Sequence, residues 1–338
     1  MGRIYKTAAI LAATGLLAAA CGGTHSAASP VAGAKHAGLS VPTTPPAVPF
    51  DVSGLADPTS GDKFYGLSAE GAPYSYAPVD KLASTLGKKP DLVEEYTRFG
   101  DQYDAQGASN AWKNGALYYI AWEPYTASFK SIASGKYDTY IKHFAAQIHY
   151  MNVPIALSFA HEMNGYWYPW GTQANTAADF VAAWKHLHDL FTQAGATNVL
   201  WCWNPNDINP VSTVKLAPYY PGDAYVDWVG VIGYYTNAGA KTFKTLFQPT
   251  IDQIRTFSQK PIVIPEVSAE PGKYRTAEIQ DLFSSVESNK DVLGFIWFDY
   301  LKSADWRIED DPTALPAFKQ GLSAPKIGVD MQTVANQR

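Results

Sequence analysis

Along most of this chain, short runs of consecutive apolar residues alternate with segments whose apolar residues recur every three or four positions. The runs at 64–67, 92–99, 116–120, 155–159, 199–203, 228–233, 262–264 and 293–298 predict buried strands. Between them, Tyr137, Ile141, Phe144 and Ile148 share one helical face, and so do Phe180, Trp184, Leu187 and Phe191. A third stripe joins Ile279, Leu282, Phe283 and Val286. Thr176, with Asp179 three positions on, predicts an N-cap for the second of these helices, and Gly195 its stop. Eight strands alternating with helices over about 260 residues match the rhythm of a (β/α)8 TIM barrel. A doubly wound open sheet has the same alternation, but it gathers its polar groups at one switch point. Here polar and aromatic residues follow many different strands, which favours the barrel.

The ends of the chain read differently. Residues 1–20 carry Arg3 and Lys6, an apolar run, and then Ala18-Ala19-Ala20, the order of an export signal peptide. Its apolar run is too short to span a bilayer, which takes ~20 residues. The small residues ending in Cys21 and followed by Gly22-Gly23 resemble a bacterial lipobox, which implies cleavage before Cys21 and acylation of that cysteine. Residues 21–62 are rich in Ala, Pro, Ser and Thr without apolar period and predict a disordered linker. The barrel is then expected over 63–322, with 323–338 as a C-terminal tail. With Cys21 spent on lipid, Cys202 has no partner, so the fold is expected to need no disulfide.

Composition narrows the function. Hydrophobic residues make up 46% of the chain and charged ones only 17%, enough apolar material for one large core. The net charge of −5, without a basic run, argues against nucleic acid as a partner. Ten Trp and 21 Tyr suit either an aromatic core or stacking on flat, partly apolar ligands.

Four strand ends carry candidate chemistry. The fourth run leads into Ala160-His161-Glu162-Met163-Asn164-Gly165, and the seventh into Pro265-Glu266. The third leads into Trp122-Glu123-Pro124-Tyr125, and the sixth into Tyr234-Tyr235. A carboxylate directly after a barrel strand stands at the mouth, partly desolvated, where its pKa is tunable. Glycoside hydrolysis takes two carboxyl groups about the scissile bond, roughly 5–5.5 Å apart where configuration is retained. Glu162 and Glu266, on opposite walls, are the expected pair. Other chemistries fail on spacing. Four positions after His161 stands Gly165, so the zinc motif is absent. Nor is there a G-x-S-x-G elbow or a nucleotide-binding glycine loop. No cofactor or metal is expected.

His161-Glu162-Met163-Asn164-Gly165, with Trp167 and Trp170, resembles the signature of glycoside hydrolase family 26, the β-mannanase family of the retaining (β/α)8 clan. The resemblance implies Glu162 as acid/base and Glu266 as nucleophile. It implies that His161 helps hold the sugar beside the acid/base. Tyr235 would hydrogen-bond the nucleophile, or its neighbour Tyr234 if the sixth strand ends one residue earlier. Trp122 and Trp167 would stack on sugars, and Trp297 would form the pocket floor.

The resemblance points to an endo-acting hydrolase of a β-linked polysaccharide. With the N-terminal signal, the protein is expected to be exported and to touch membrane only through its lipid, and a monomer is expected. The first expectation for substrate is β-1,4-mannan, with mixed-linkage β-glucan and β-1,3-xylan as alternatives in the same family. A rival of another class is a surface lipoprotein that binds glycan without cleaving it. Both Glu162 and Glu266 weigh against that rival, since binding alone needs neither.

Overall fold

A computed structural model describes residues 40–56 and 61–335. The expected signal peptide and Cys21 lie outside the described residues. Helix α1 (Ser53–Ala56) precedes strand β1 (Phe64–Ala69), followed by α2 (Ala77–Leu86), β2 (Leu92–Arg98), α3 (Ala105–Lys113) and β3 (Leu117–Glu123). Helices α4 (Phe129–Ala133) and α5 (Asp138–Met151) lead to β4 (Ile155–Phe159), α6 (Ala177–Gln193) and β5 (Val199–Trp203). After short 3-10 turns come β6 (Trp228–Gly230), α7 (Phe243–Leu246), α8 (Gln248–Ile254) and β7 (Ile262–Val267). The chain ends through α9 (Arg275–Ser288), β8 (Val292–Asp299), α10 (Leu315–Leu322) and α11 (Met331–Ala335).

The eight strands are parallel and close in sequence order, β1 pairing with β8 from Phe64↔Gly294 to Ala69↔Asp299. Closure rules out the open sheet. The expected helical stripes become the buried faces of α5, α6 and α9. Thr176 caps α6 in a reciprocal box with Asp179.

Side chains along each strand alternate between two environments. One set, including Phe64, Leu92, Leu117, Tyr119, Ala156, Leu200, Cys202, Trp228, Val263 and Ile296, fills the barrel interior. The other set, including Tyr65, Val93, Tyr118, Trp122, Leu157, Trp201, Phe295 and Trp297, packs under the helices. This alternation decides which strand-end residues reach the mouth.

The end of the barrel opposite the mouth is plugged by both ends of the described chain. Leu55 of α1 and Met331 and Val334 of α11 join the interior cluster, and the Trp228 indole N–H donates to the Ala56 carbonyl at 2.9 Å. Phe50 meets Trp112 edge-on, and its amide donates to Asn152 Oδ1 at 2.7 Å. Residues 50–56, which fall within the expected linker, are thus packed against the barrel, and the expected tail contains a packed helix. Apolar residues such as Leu55 and Met331 supply the reason, since fully burying each contributes about 1.5–3 kcal/mol. Among the described residues, no helix is long and apolar enough to cross a membrane.

Candidate active site

Glu162 stands just beyond β4, where the ladder continues briefly on both sides. The Ala160 amide donates to the Trp122 carbonyl at 2.9 Å, and the Glu162 amide to the Asn204 carbonyl at 2.7 Å. Ala160 and Glu162 both adopt left-handed backbone conformations, with φ of 51° and 55°. For residues with a side chain this costs on the order of 1–3 kcal/mol and persists where surroundings over-determine it. The surroundings here are the rest of the motif. Trp170 donates its indole N–H to the His161 carbonyl at 2.7 Å, and Thr172 donates its amide to the Gly165 carbonyl at 2.8 Å. A Cβ on Gly165 would fall 2.5 Å from the Trp167 ring, so only glycine lets that indole lie against the loop. Trp167 in turn donates its N–H to Glu162 Oε2 at 2.6 Å. The other oxygen, Oε1, accepts from the Asn206 side-chain amide.

These two donors favour the ionised form of Glu162, but larger effects oppose them. Burial, and after it the negative charge of Glu266, push the Glu162 carboxyl up to about 8. The residue is 1% exposed. Glu162 therefore holds its proton far more firmly than a solvated glutamate does.

Glu266 reaches the site through an irregularity. Val263 points inward, so strict alternation would turn Glu266 out toward the helices. Between Ile264 and Val267, however, the β7 register against β8 shifts by one residue. Such a bulge re-aims a side chain. Glu266 Oε1 accepts from the Tyr234 hydroxyl and Oε2 from the Tyr96 hydroxyl. Two hydroxyl donors on one carboxylate favour its charged form.

A cavity of about 350 Å³ opens against Glu266, lined also by Tyr96, Glu123, Tyr125, Tyr168 and Tyr300. Lys302 lies at its edge, with its ammonium 5.0–5.4 Å from the ring centres of Tyr96, Phe298 and Tyr300. His161 is buried beside the site, its Nε2 3.2 Å from the Tyr168 hydroxyl. Burial foremost, and then the charge of Lys302, push His161 down to about 3, so its imidazole is neutral. Among the described residues, no group of three or more His, Cys, Asp and Glu side chains is placed to hold a metal ion.

The expected residues divide sharply. Glu162, Glu266, His161 and Trp167 come together at the mouth. Trp122 and Trp297 do not, and their assignment to sugar stacking and the pocket floor is corrected. Trp122 lies in the outward set and stacks on Phe144 of α5, centroids 4.6 Å apart and planes at 17°. Trp297, also outward, meets Phe318 of α10 at 4.9 Å. Both are wholly buried. Tyr235 is corrected as well. It faces the helices, its hydroxyl 3.5 Å from Asp281, and the neighbouring Tyr234 holds the nucleophile candidate.

Sequence reasoning missed Tyr96 and Asn206. Tyr96 shares the inward parity of β2, a signal that alternation alone offered. Asn206 has no comparable signal, because it gains meaning only through Asn164, whose side chain exchanges two bonds with its backbone.

Comparison with known proteins follows the same lines. Residues 108–260 match glycosyl hydrolase family 26. The chain is 31% identical over 266 residues to endoglucanase H of Acetivibrio thermocellus, covering 74% of this chain and 29% of that protein. It is 23% identical over 206 residues to a mannan endo-1,4-beta-mannosidase of Bacillus subtilis, covering 49% and 56% respectively. It thus spans less than two thirds of either relative. The solved modular endo-beta-1,4-mannanase of Cellulomonas fimi superposes with a TM-score of 0.64 at 14% identity, covering 84% of this chain and 76% of that one. At that identity the likeness concerns the fold.

Proposed function

The chain belongs to glycosyl hydrolase family 26, and on that premise we propose that it is a retaining endo-β-glycanase with Glu162 as acid/base and Glu266 as nucleophile. One observation carries the reading. Two carboxyl groups meet at one mouth in contrasting surroundings. Glu162 is buried and holds its proton firmly, while Glu266 is held by two tyrosine hydroxyls.

In the first step Glu162 protonates the leaving glycosidic oxygen as Glu266 attacks the anomeric carbon, giving a covalent glycosyl-enzyme. Esterification removes the charge of Glu266, one of the causes that raise Glu162. Glu162, having given up its proton, is now the stronger acid and stays ionised as the base that the second step needs. It takes a proton from water, which displaces Glu266 and restores the β configuration. Neutral His161 and the half-buried Trp167 are positioned to contact the sugar at this centre.

The first expectation for substrate stays β-1,4-mannan, named in the Bacillus relative. A β-glucan is the second reading, favoured because the match to a protein named as an endoglucanase extends over 74% of this chain. Proton NMR of the first-formed product on mannan, galactomannan, lichenan and β-1,3-xylan tests both parts. Retention predicts the β anomer, and the substrate cleaved fastest identifies the glycan. Binding without product would favour the non-catalytic rival.

Export and lipidation at Cys21, and a monomeric state, complete the proposal. Residues 50–56 enter beneath the closed end of the barrel, so a tether from Cys21 would leave the mouth free. Loss of lipid labelling in Cys21→Ala checks the anchor, and gel filtration the monomer.

A further inference from the structure

Beneath the nucleophile candidate lies a carboxyl group that the proposed mechanism does not use. Glu94 of β2 points into the barrel, 2% exposed, in register with Ser68 on β1 and Tyr119 on β3. Its Oε2 stands 3.4 Å from the Tyr96 hydroxyl, the same hydroxyl that contacts Glu266 Oε2 more closely. A phenol carries one proton, so it cannot donate to both carboxyl groups at once. The closer contact takes it. The contact to Glu94 is then a hydrogen bond only if Glu94 supplies the proton.

The balance around Glu94 favours its neutral form. Burial foremost, then the negative charges of Glu266 on β7 and Glu123 on β3, raise its carboxyl well above the ordinary range, against the smaller opposing hydrogen bonds of Ser68 and Tyr96. Tyr119, Cys202 and Tyr300 also lie within its electrostatic reach, from β3, β5 and the end of β8. None of these is a cation. A buried carboxylate without a cation, beside another carboxylate, is far costlier than a neutral acid.

We propose that Glu94 and Tyr96 form a neutral positioning arm for the nucleophile, in which the Glu94 carboxylic acid donates to the Tyr96 oxygen and Tyr96 donates to Glu266. The arm orients the one phenolic proton toward Glu266 and leaves Tyr234 to hold the other oxygen. It rests on the reading of Glu266 as nucleophile.

The test combines a pH profile with infrared spectroscopy on full-length protein carrying Tyr96→Phe, Glu94→Gln or Glu94→Ala. With mannan or lichenan, whichever is cleaved, Tyr96→Phe is expected to move the acid limb of kcat/KM up by about one pH unit, because it removes a donor to the carboxylate. Glu94→Gln keeps a neutral donor and is expected within about threefold of wild type, whereas Glu94→Ala loses about tenfold. The wild-type minus Glu94→Gln infrared difference at pH 7 is expected to contain the carbonyl stretch of a protonated carboxyl. An unmoved acid limb in Tyr96→Phe, Glu94→Gln as slow as Glu94→Ala, or no such band would overturn the arm. If both resist, β-1,3-xylan takes their place. If that too is not cleaved the enzyme reading fails, and the infrared difference still decides whether Glu94 holds its proton.

Discussion

Asn164 and Asn206 exchange two hydrogen bonds across the mouth of the barrel: the Asn164 side-chain amide donates to the Asn206 carbonyl at 3.0 Å, and the Asn206 backbone amide donates to Asn164 Oδ1 at 2.8 Å. The side chain so held is the one that donates to Glu162 Oε1. Asn164 thus acts on Glu162 through a residue 42 positions away. Asn206→Ala removes a donor that favours the ionised form, so the alkaline limb of the pH profile should move up, and kcat should fall about tenfold or more through lost orientation. Asn164→Ala should reproduce the loss in kcat. An alkaline limb that moves down in Asn206→Ala would contradict this electrostatic role.

The two adjacent tyrosines after β6 separate cleanly. Tyr234→Phe loses one of the two hydroxyls on Glu266 and should lower kcat/KM by about 10–100-fold, as removal of a charge-assisted bond predicts. Tyr235→Phe loses only a 3.5 Å contact to Asp281 and should leave the kinetics near wild type. Steady-state kinetics on the two variants, side by side, decides between them.

Azide distinguishes the two glutamates by stereochemistry. Glu162→Ala leaves the nucleophile in place, so azide should trap the glycosyl-enzyme as a β-glycosyl azide. Glu266→Ala leaves azide to attack directly and should give the α product. Exchanged outcomes would reverse the assignments.

Trp122 and Trp297 serve the core. Trp122→Ala and Trp297→Ala should each cost about 3–5 kcal/mol of stability. KM of the protein that remains folded should stay within about twofold, since neither ring reaches the mouth. A large rise in KM with unchanged thermal stability would restore their role in sugar binding.

Several buried carboxyls are held protonated, and stability should follow. Burial chiefly pushes Glu123 and Glu162 up to about 8 and Glu95 to about 7, and the charge of Glu266 adds to the rise in the first two. Their folded values lie above the unfolded value of about 4.3. The native state therefore binds more protons than the unfolded state between about pH 4 and 8, and stability falls as pH rises through that window. Tm at pH 8.5 should lie at least about 2 °C below that at pH 5.5. Glu123→Gln should shrink the difference, and a Tm that climbs across the same interval would contradict the buried acids.

The barrel was legible because apolar runs and helical stripes alternate without interruption, and Glu162 because it follows a strand directly. Glu266 was legible for the same reason, although strict alternation would have turned it outward without the bulge in β7. Trp122 and Trp297 were misread because residue type was allowed to outweigh parity. Counting in twos from Tyr119 puts Trp122 under the helices, and counting from Ile296 puts Phe298, not Trp297, at the mouth. Tyr96 meets Glu266 across 170 positions of chain, a contact that exists only once β2 and β7 share a closed barrel. Asn206 lies beyond β5 in a stretch without apolar period, and nothing local marks it.

The double displacement is tested most directly by trapping. Incubation with a 2-deoxy-2-fluoro glycosyl fluoride of the preferred sugar should accumulate the covalent intermediate, and peptide mass spectrometry should place the label on Glu266. A label on Glu162 instead, or none at all with enzyme that turns over its polysaccharide to the α anomer, would contradict the account.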